Sequence, residues 1–151
     1  MWENTYFSHI YLYDIDIFTE FYYIIIMQYI EDHLFTKDIL KTLDKSNYPL
    51  TFDMCSKNEF SSDFIVRFLL NQEISSPLGV VIYKIVSPTE IRIYSLEIHN
   101  NFRLQQYGRK LLTLFKETYS TIILSTLPDS KLFYLKQDFV EQEENRLIWS
   151  K

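Results

Sequence analysis

In YFSHIYLYDI, from Tyr6 to Ile15, Phe7 and His9 alternate with Ser8 and Ile10, and the aromatic and β-branched content predicts a first strand. Asp14 or Asp16 can then cap a helix running to about Asp32, with Phe18, Phe21, Tyr22, Ile25 and Tyr29 as its apolar stripe. The run of three isoleucines leaves a strand as the alternative. Thr36 reads as the N-cap of a second helix, Lys37 to Lys45, which turns Ile39, Leu40 and Leu43 inward and stops at Asn47 to Pro49. From Leu50 to Ser62 no period dominates, and an irregular or edge segment is expected. Strands return over Asp63 to Asn71, Leu78 to Val86 and Glu90 to His99, separated by turns at Ser75-Ser76-Pro77 and Ser87-Pro88-Thr89.

A helix follows Asn100 and Asn101, with Gly108, Leu111, Leu112, Phe115 and Tyr119 inward and Arg109, Lys110, Thr113, Lys116 and Glu117 outward. Ser120 to Thr126 reads as a short buried strand. Asp129 or Ser130 can cap a helix through Lys136, and Glu144 to Ser150 supplies a last strand with Leu147 and Trp149 facing one way. The order β-α-α-β-β-β-α-β-α-β predicts a single α/β domain over residues 1–151, with three layers and a mixed central sheet flanked by helices.

The stretch from Leu96 to Leu112, LEIHNNFRLQQYGRKLL, carries the candidate chemistry. A strand, a short turn and a helix leave the first helical amides unpaired beyond the sheet edge, where an anion is favoured. Arg103 and Arg109 add positive charge to the helix dipole, which suits a phosphate. Gly108 is one of two glycines in the chain. Inside a first turn it costs roughly 1 kcal/mol relative to alanine, which implies a close approach to its backbone.

At Leu96, Ile98, Asn100, Phe102, Arg103, Gln106, Gly108, Leu111 and Leu112 the stretch resembles Leu-x-Val-x-Pro-x-Tyr-Arg-x-x-Gly-x-Gly with paired leucines, the acetyl-CoA site of the GNAT N-acyltransferase superfamily. Gln106 stands at the first glycine and Asn100 at the proline. A second block, LFYLKQDFV from Leu132 to Val140, is similar to that family's Phe-Tyr-x-Lys-x-Gly-Phe, with Phe133, Tyr134, Lys136 and Phe139 in place and Asp138 at the glycine. Leu127 and Ser130 replace the usual Asn and Ala. Gly79, at the start of the middle strand, fits the same pattern and equally a glycine leaving a turn.

The resemblance implies that the strand backbone at Leu96 and Ile98 pairs with the pantetheine arm of acetyl-CoA. Arg103 and the amides of Leu104, Gln105, Gln106, Tyr107, Gly108 and Arg109 would then hold the pyrophosphate, with no metal. It also implies that Tyr134 protonates the departing thiolate. Acetyl transfer to an amine needs an uncharged amine, a stabilised oxyanion and that proton, and no covalent enzyme intermediate. Glu97, on the strand beside the presumed thioester, is the candidate base, directly or through water, with His99 behind it. Both equally suit residues facing away from the buried row.

Composition narrows the class of partner. With 47% hydrophobic and 23% charged residues, disorder is not the expectation. Twelve Tyr and twelve Phe accompany isoleucine-rich runs, so the aromatics alone mark no site. A net charge of −5 argues against nucleic acid and favours a cationic acceptor. Cys55 is the only cysteine; it excludes an internal disulfide, fits a reducing cytoplasm and reads as a small buried hydrophobe.

No positive leading segment precedes an apolar run, so no secretory signal is expected. FYYIIIMQYI, Phe21 to Ile30, is too short for a bilayer helix and is bounded by Glu20, Glu31 and Asp32. His9, His33 and His99 lack ligand spacing for a metal. Asp14, Asp16 and Glu20 read as caps and a solvated face. The sequence thus reads as an acetyl-CoA-dependent transferase acting on a primary amine of a small molecule or protein, with no membrane partner and a homodimer left open. The alternative is a GNAT-fold binding module without activity.

Overall fold

The computed structural model describes residues 28–57 and 59–151, together with the backbone of Ser8–Tyr11. Ser8–Tyr11 is strand β1, inside the segment expected to be a strand. Residues 12–27, which hold most of the expected first helix, its caps and its isoleucine run, lie outside the described residues. Gln28–Leu34 is strand β2 and not the end of that helix. It pairs with β1 on one side and with β3 (Phe64–Asn71) on the other, from Gln28↔Asn71 to Leu34↔Ile65. Two-sided pairing decides what local preference leaves open. Ile30 is buried, and among the described residues no helix is long and apolar enough to cross a membrane.

The second expected helix shrinks to a 3-10 turn, Ile39–Thr42, preceded by Asp38 and not Thr36. Asp44 accepts bonds from the Ser46 amide and hydroxyl and from the Asn47 side chain, which draws the chain into a turn in place of further helix. Helix α1 then occupies Pro49–Lys57, where an irregular segment was expected. Pro49 opens this helix and does not stop the one before it. Proline suits a first helical position because its missing N–H would have no partner there.

Strands β4 (Ile74–Ser87) and β5 (Glu90–Ile98) continue the meander, and Ser75-Ser76-Pro77 lies within irregular β4, not in a turn. The turn is Gln72-Glu73, where the Glu73 amide donates to Asn71 Oδ1 at 2.8 Å. Helix α2 (Tyr107–Thr118) crosses to β6 (Thr121–Ser125), the one parallel neighbour of β5. Helix α3 (Pro128–Leu135) begins earlier than expected, after Leu127, with Pro128 in its first turn. Strand β7 (Val140–Glu143) was not anticipated, because its exposed VEQE has no buried face to give a period; β8 (Arg146–Ser150) matches the expected last strand.

One mixed sheet results, in the order β1-β2-β3-β4-β5-β6-β8-β7. Phe35, Leu43, Tyr48, Val66, Phe68, Val80 and Ile82 form the core on the α1 side. Leu111, Leu112, Phe115, Tyr134 and Phe139 join Val81, Tyr83, Ile91 and Ile93 on the α2 and α3 side. These are the expected three layers. Below α2, Arg67 makes a two-pronged pair with Asp32, both bonds 2.8 Å, its guanidinium 4.3 Å from the Phe115 ring centre.

Candidate active site

The site begins with an extra residue in β5. Ile82 pairs with Ser95 while Tyr83 pairs with Ile93, so Tyr94 has no opposite number and forms a bulge. The bulge reverses the alternation. Ile91 and Ile93 before it and Leu96 and Ile98 after it all pack on the α2 side, while Tyr94 packs on the α1 side and Ser95 and Glu97 bond to α1. Pairing between β5 and β6 runs only from Glu90↔Thr121 to Ile93↔Leu124. Beyond Ile93 the edge of β5 that faces β6 pairs with no strand among the described residues, and its backbone around Leu96 to Ile98 borders the cavity, with the Ile98 carbonyl accepting the Arg103 side chain at 3.4 Å.

Helix α2 starts just past that edge. Its first internal bond runs from the Lys110 amide to the Gln106 carbonyl at 3.0 Å, leaving the amides of Tyr107, Gly108 and Arg109 outside the helical ladder. Gln106 precedes the helix with φ 65°, and Leu104 also has φ 65°. The family pattern has glycine at the Gln106 position, and the left-handed backbone there supplies the reason. Gly108 is buried, and a Cβ on it would lie 3.1 Å from Phe133 Cζ. The expected close approach is therefore to an α3 side chain as well as to any ligand.

These parts line an open cavity of about 630 Å³. Leu96, Glu97, Ile98, Arg103, Leu104, Gln106, Tyr107, Gly108, Arg109 and Tyr134 line it, and of the residues expected at the site Gln105 and His99 do not. Leu50, Phe102, Asp129, Ser130, Phe133 and Gln137 complete the wall. Phe133 was visible in the second block. Leu50 was not, because the helix that carries it was not anticipated.

Tyr134 is buried at the α3 wall between the rings of Phe133 and Phe139, at 5.0 and 5.7 Å. Burial pushes its hydroxyl up to about 12, so it carries its proton at neutral pH. Glu97 sits on the other side, under α1. Its carboxylate accepts the Leu50 amide at 3.1 Å and the Thr51 amide at 2.8 Å, capping the start of α1 from a distant strand. The side chain is 1% exposed, so Glu97 borders the cavity without presenting an open oxygen as a direct base would.

Arg103 Nη2 stands 3.7 Å from Glu97 Oε1, and its Nε donates to the Ile98 carbonyl at 3.4 Å. His99 is buried against Tyr48 and Phe102, its Nδ1 accepting the Asn101 amide at 3.1 Å. It does not line the cavity and is held as a turn residue. Cys55 lies on α1, half-buried against the core on that side, where burial pushes its thiol up to about 11. That keeps it protonated and fits the packing role expected for it.

No protein-family model matches the sequence, and no curated protein matches it. Solved structures do. An acetyltransferase from Bacillus subtilis in complex with CoA superposes with a TM-score of 0.56 at 17% identity, over 81% of this chain and 97% of that one. A Desulfovibrio desulfuricans protein described as a GNAT-family acetyltransferase gives 0.56 at 10% identity, over 82% and 98%. AtaT, solved with acetyl-methionyl-tRNAfMet, gives 0.55 at 13% identity, over 80% and 94%. At these identities the likenesses show the fold alone: the chain is a divergent protein of the GNAT acetyltransferase fold.

Proposed function

We propose that the protein transfers an acetyl group from acetyl-CoA to a primary amine by direct attack in a ternary complex. The observation that carries this reading is a cavity that brings together the edge of β5 beyond its pairing with β6, the amides at the start of α2 outside the helical ladder, Arg103 and Arg109, and the protonated hydroxyl of Tyr134. Bound acetyl-CoA supplies a thioester whose carbonyl carbon the amine attacks. Residues 96–98 offer backbone partners to an extended amide-bearing arm. The α2 amides and the two arginines suit a pyrophosphate.

Tyr134 gives its proton to the sulfur as the carbon–sulfur bond breaks, and the proton lost by the attacking nitrogen restores it through water. Glu97 serves as the fixed negative charge nearest the amine, and any proton reaches it through water. The acceptor is a small-molecule or protein amine, and the net charge of −5 disfavours a nucleic-acid partner.

The test is a melting curve with coenzyme A and acetyl-CoA, followed by thiol release with an amine panel. A ligand that binds only the native state adds about 2.7 kcal/mol at one hundred times its dissociation constant. A melting point indifferent to millimolar acetyl-CoA would remove the proposal. Binding without thiol release on any amine would favour the non-catalytic binding module.

A further inference from the structure

Arg103 is the one cavity residue whose side chain bonds both to the free edge of β5 and toward the cap of α1. Its guanidinium donates to the Ile98 carbonyl at 3.4 Å and faces Glu97 Oε1 at 3.7 Å, on the oxygen that also receives the Leu50 amide. The Ile98 carbonyl lies on the strand that would pair with an extended pantetheine arm. The Arg103 head is half exposed at the edge of the cavity near the first α2 amides. Nε and Nη2, which make these contacts, form one edge of its planar fork, so a phosphate gripped by that edge displaces both. Coenzyme and carboxylate therefore compete for one cation.

We propose, resting on the coenzyme reading above, that Arg103 is a positioning residue which coenzyme binding transfers from Glu97 and Ile98 to the pyrophosphate. The transfer frees the end of β5 for the arm. It also leaves Glu97 held by backbone amides without a cation, so that an ammonium is drawn to this end of the cavity only after the coenzyme is seated. Binding of coenzyme and of a cationic amine are then coupled through one side chain, and such coupling is reciprocal.

The competition has a sign that a purely structural Glu97 would not give. Glu97→Gln releases Arg103 and should tighten binding of coenzyme A, by roughly two- to fivefold for a pair of this exposure. Arg103→Gln should weaken it, and adding Glu97→Gln to Arg103→Gln should then leave affinity unchanged. The measurement is calorimetric titration of coenzyme A into the wild type, both single variants and the double variant.

Weaker or equal binding by folded Glu97→Gln overturns the inference while leaving the coenzyme site standing. A wild type that binds no coenzyme A removes the site itself. Glu97→Gln loses one of the two α1 caps. Should it not fold, the wild type is read instead through the side-chain Nε–H resonance of Arg103, assigned by its absence in Arg103→Gln. Coenzyme A should shift that resonance, and one that stays in place while coenzyme A binds overturns the transfer.

Discussion

Two departures from the family pattern, Gln106 and Asp138, fall where the backbone is left-handed, with φ of 65° and 64°. After α3 the Asp138 amide bonds to the Leu135 carbonyl and the Phe139 amide to the Tyr134 carbonyl, while the Tyr134 and Phe139 rings touch at 5.7 Å. That is the helix ending in which glycine is most at ease. Asp138→Gly should stabilise the protein by about 0.5–1 kcal/mol, net of the greater freedom it gives the unfolded chain. Chemical denaturation measures this, and an unchanged midpoint would mean that the strain relieved is no larger than the freedom glycine adds to the unfolded chain. Tyr134→Phe keeps the packing and removes the donor. Turnover at saturating acetyl-CoA should fall by about 10²- to 10⁴-fold with little change in coenzyme affinity. Equal turnover, with chemistry limiting, would make Tyr134 a packing residue.

At the scale of elements, the site depends on how closely β4, β5 and α2 approach, and Gly79 sets that distance. A Cβ at Gly79 would fall 2.8 Å from Ile98 Cδ1 and 3.1 Å from Leu111 Cδ1, so any side chain there must displace the ends of the Ile98 and Leu111 side chains. Gly79→Ala should cost about 1–3 kcal/mol of stability and weaken coenzyme binding through displaced Ile98. A variant with wild-type melting point and affinity would show that Ile98 repacks freely. The sequence displayed β5, α2, β6 and β8 because each buries one face and so carries a period, and the cavity residues on β5 and α2 were legible with them. It concealed α1 because that helix is capped by Glu97, more than forty residues away, and no local signal announces such a cap. It concealed β2 because pairing with β1 and β3, not propensity, makes Gln28–Leu34 extended. The sequence offers Glu97 as a candidate base, but its commitment to α1 follows from the Tyr94 bulge, which no alternation pattern reveals.

For the molecule as a whole, tyrosines knit the two cores. Tyr48 packs on the α1 side and Tyr83, Tyr119 and Tyr134 on the α2 side, and burial raises the hydroxyl of each above its ordinary range, Tyr134 to about 12. A raised phenol holds its proton in the folded state after the unfolded chain has lost it near pH 10. Its contribution is thus complete below pH 10 and disappears as pH climbs from there through the folded value. Each such tyrosine costs about 1.4 kcal/mol of stability per pH unit inside that window. Unfolding should therefore steepen above about pH 10, with phenolate absorbance rising together with loss of secondary structure. Lysines titrate in the same range, so the decisive quantity is a difference between two proteins that share them. Tyr134→Phe deletes one phenol and leaves every lysine in place. Its stability relative to wild type should hold steady from about pH 7 to 9 and then improve by about 1 kcal/mol by about pH 11. A relative stability that stays flat across the whole range would mean that Tyr134 ionises as readily in the folded protein as in the unfolded chain, and that the hydroxyl assigned to the departing thiolate is not held in its protonated form by burial.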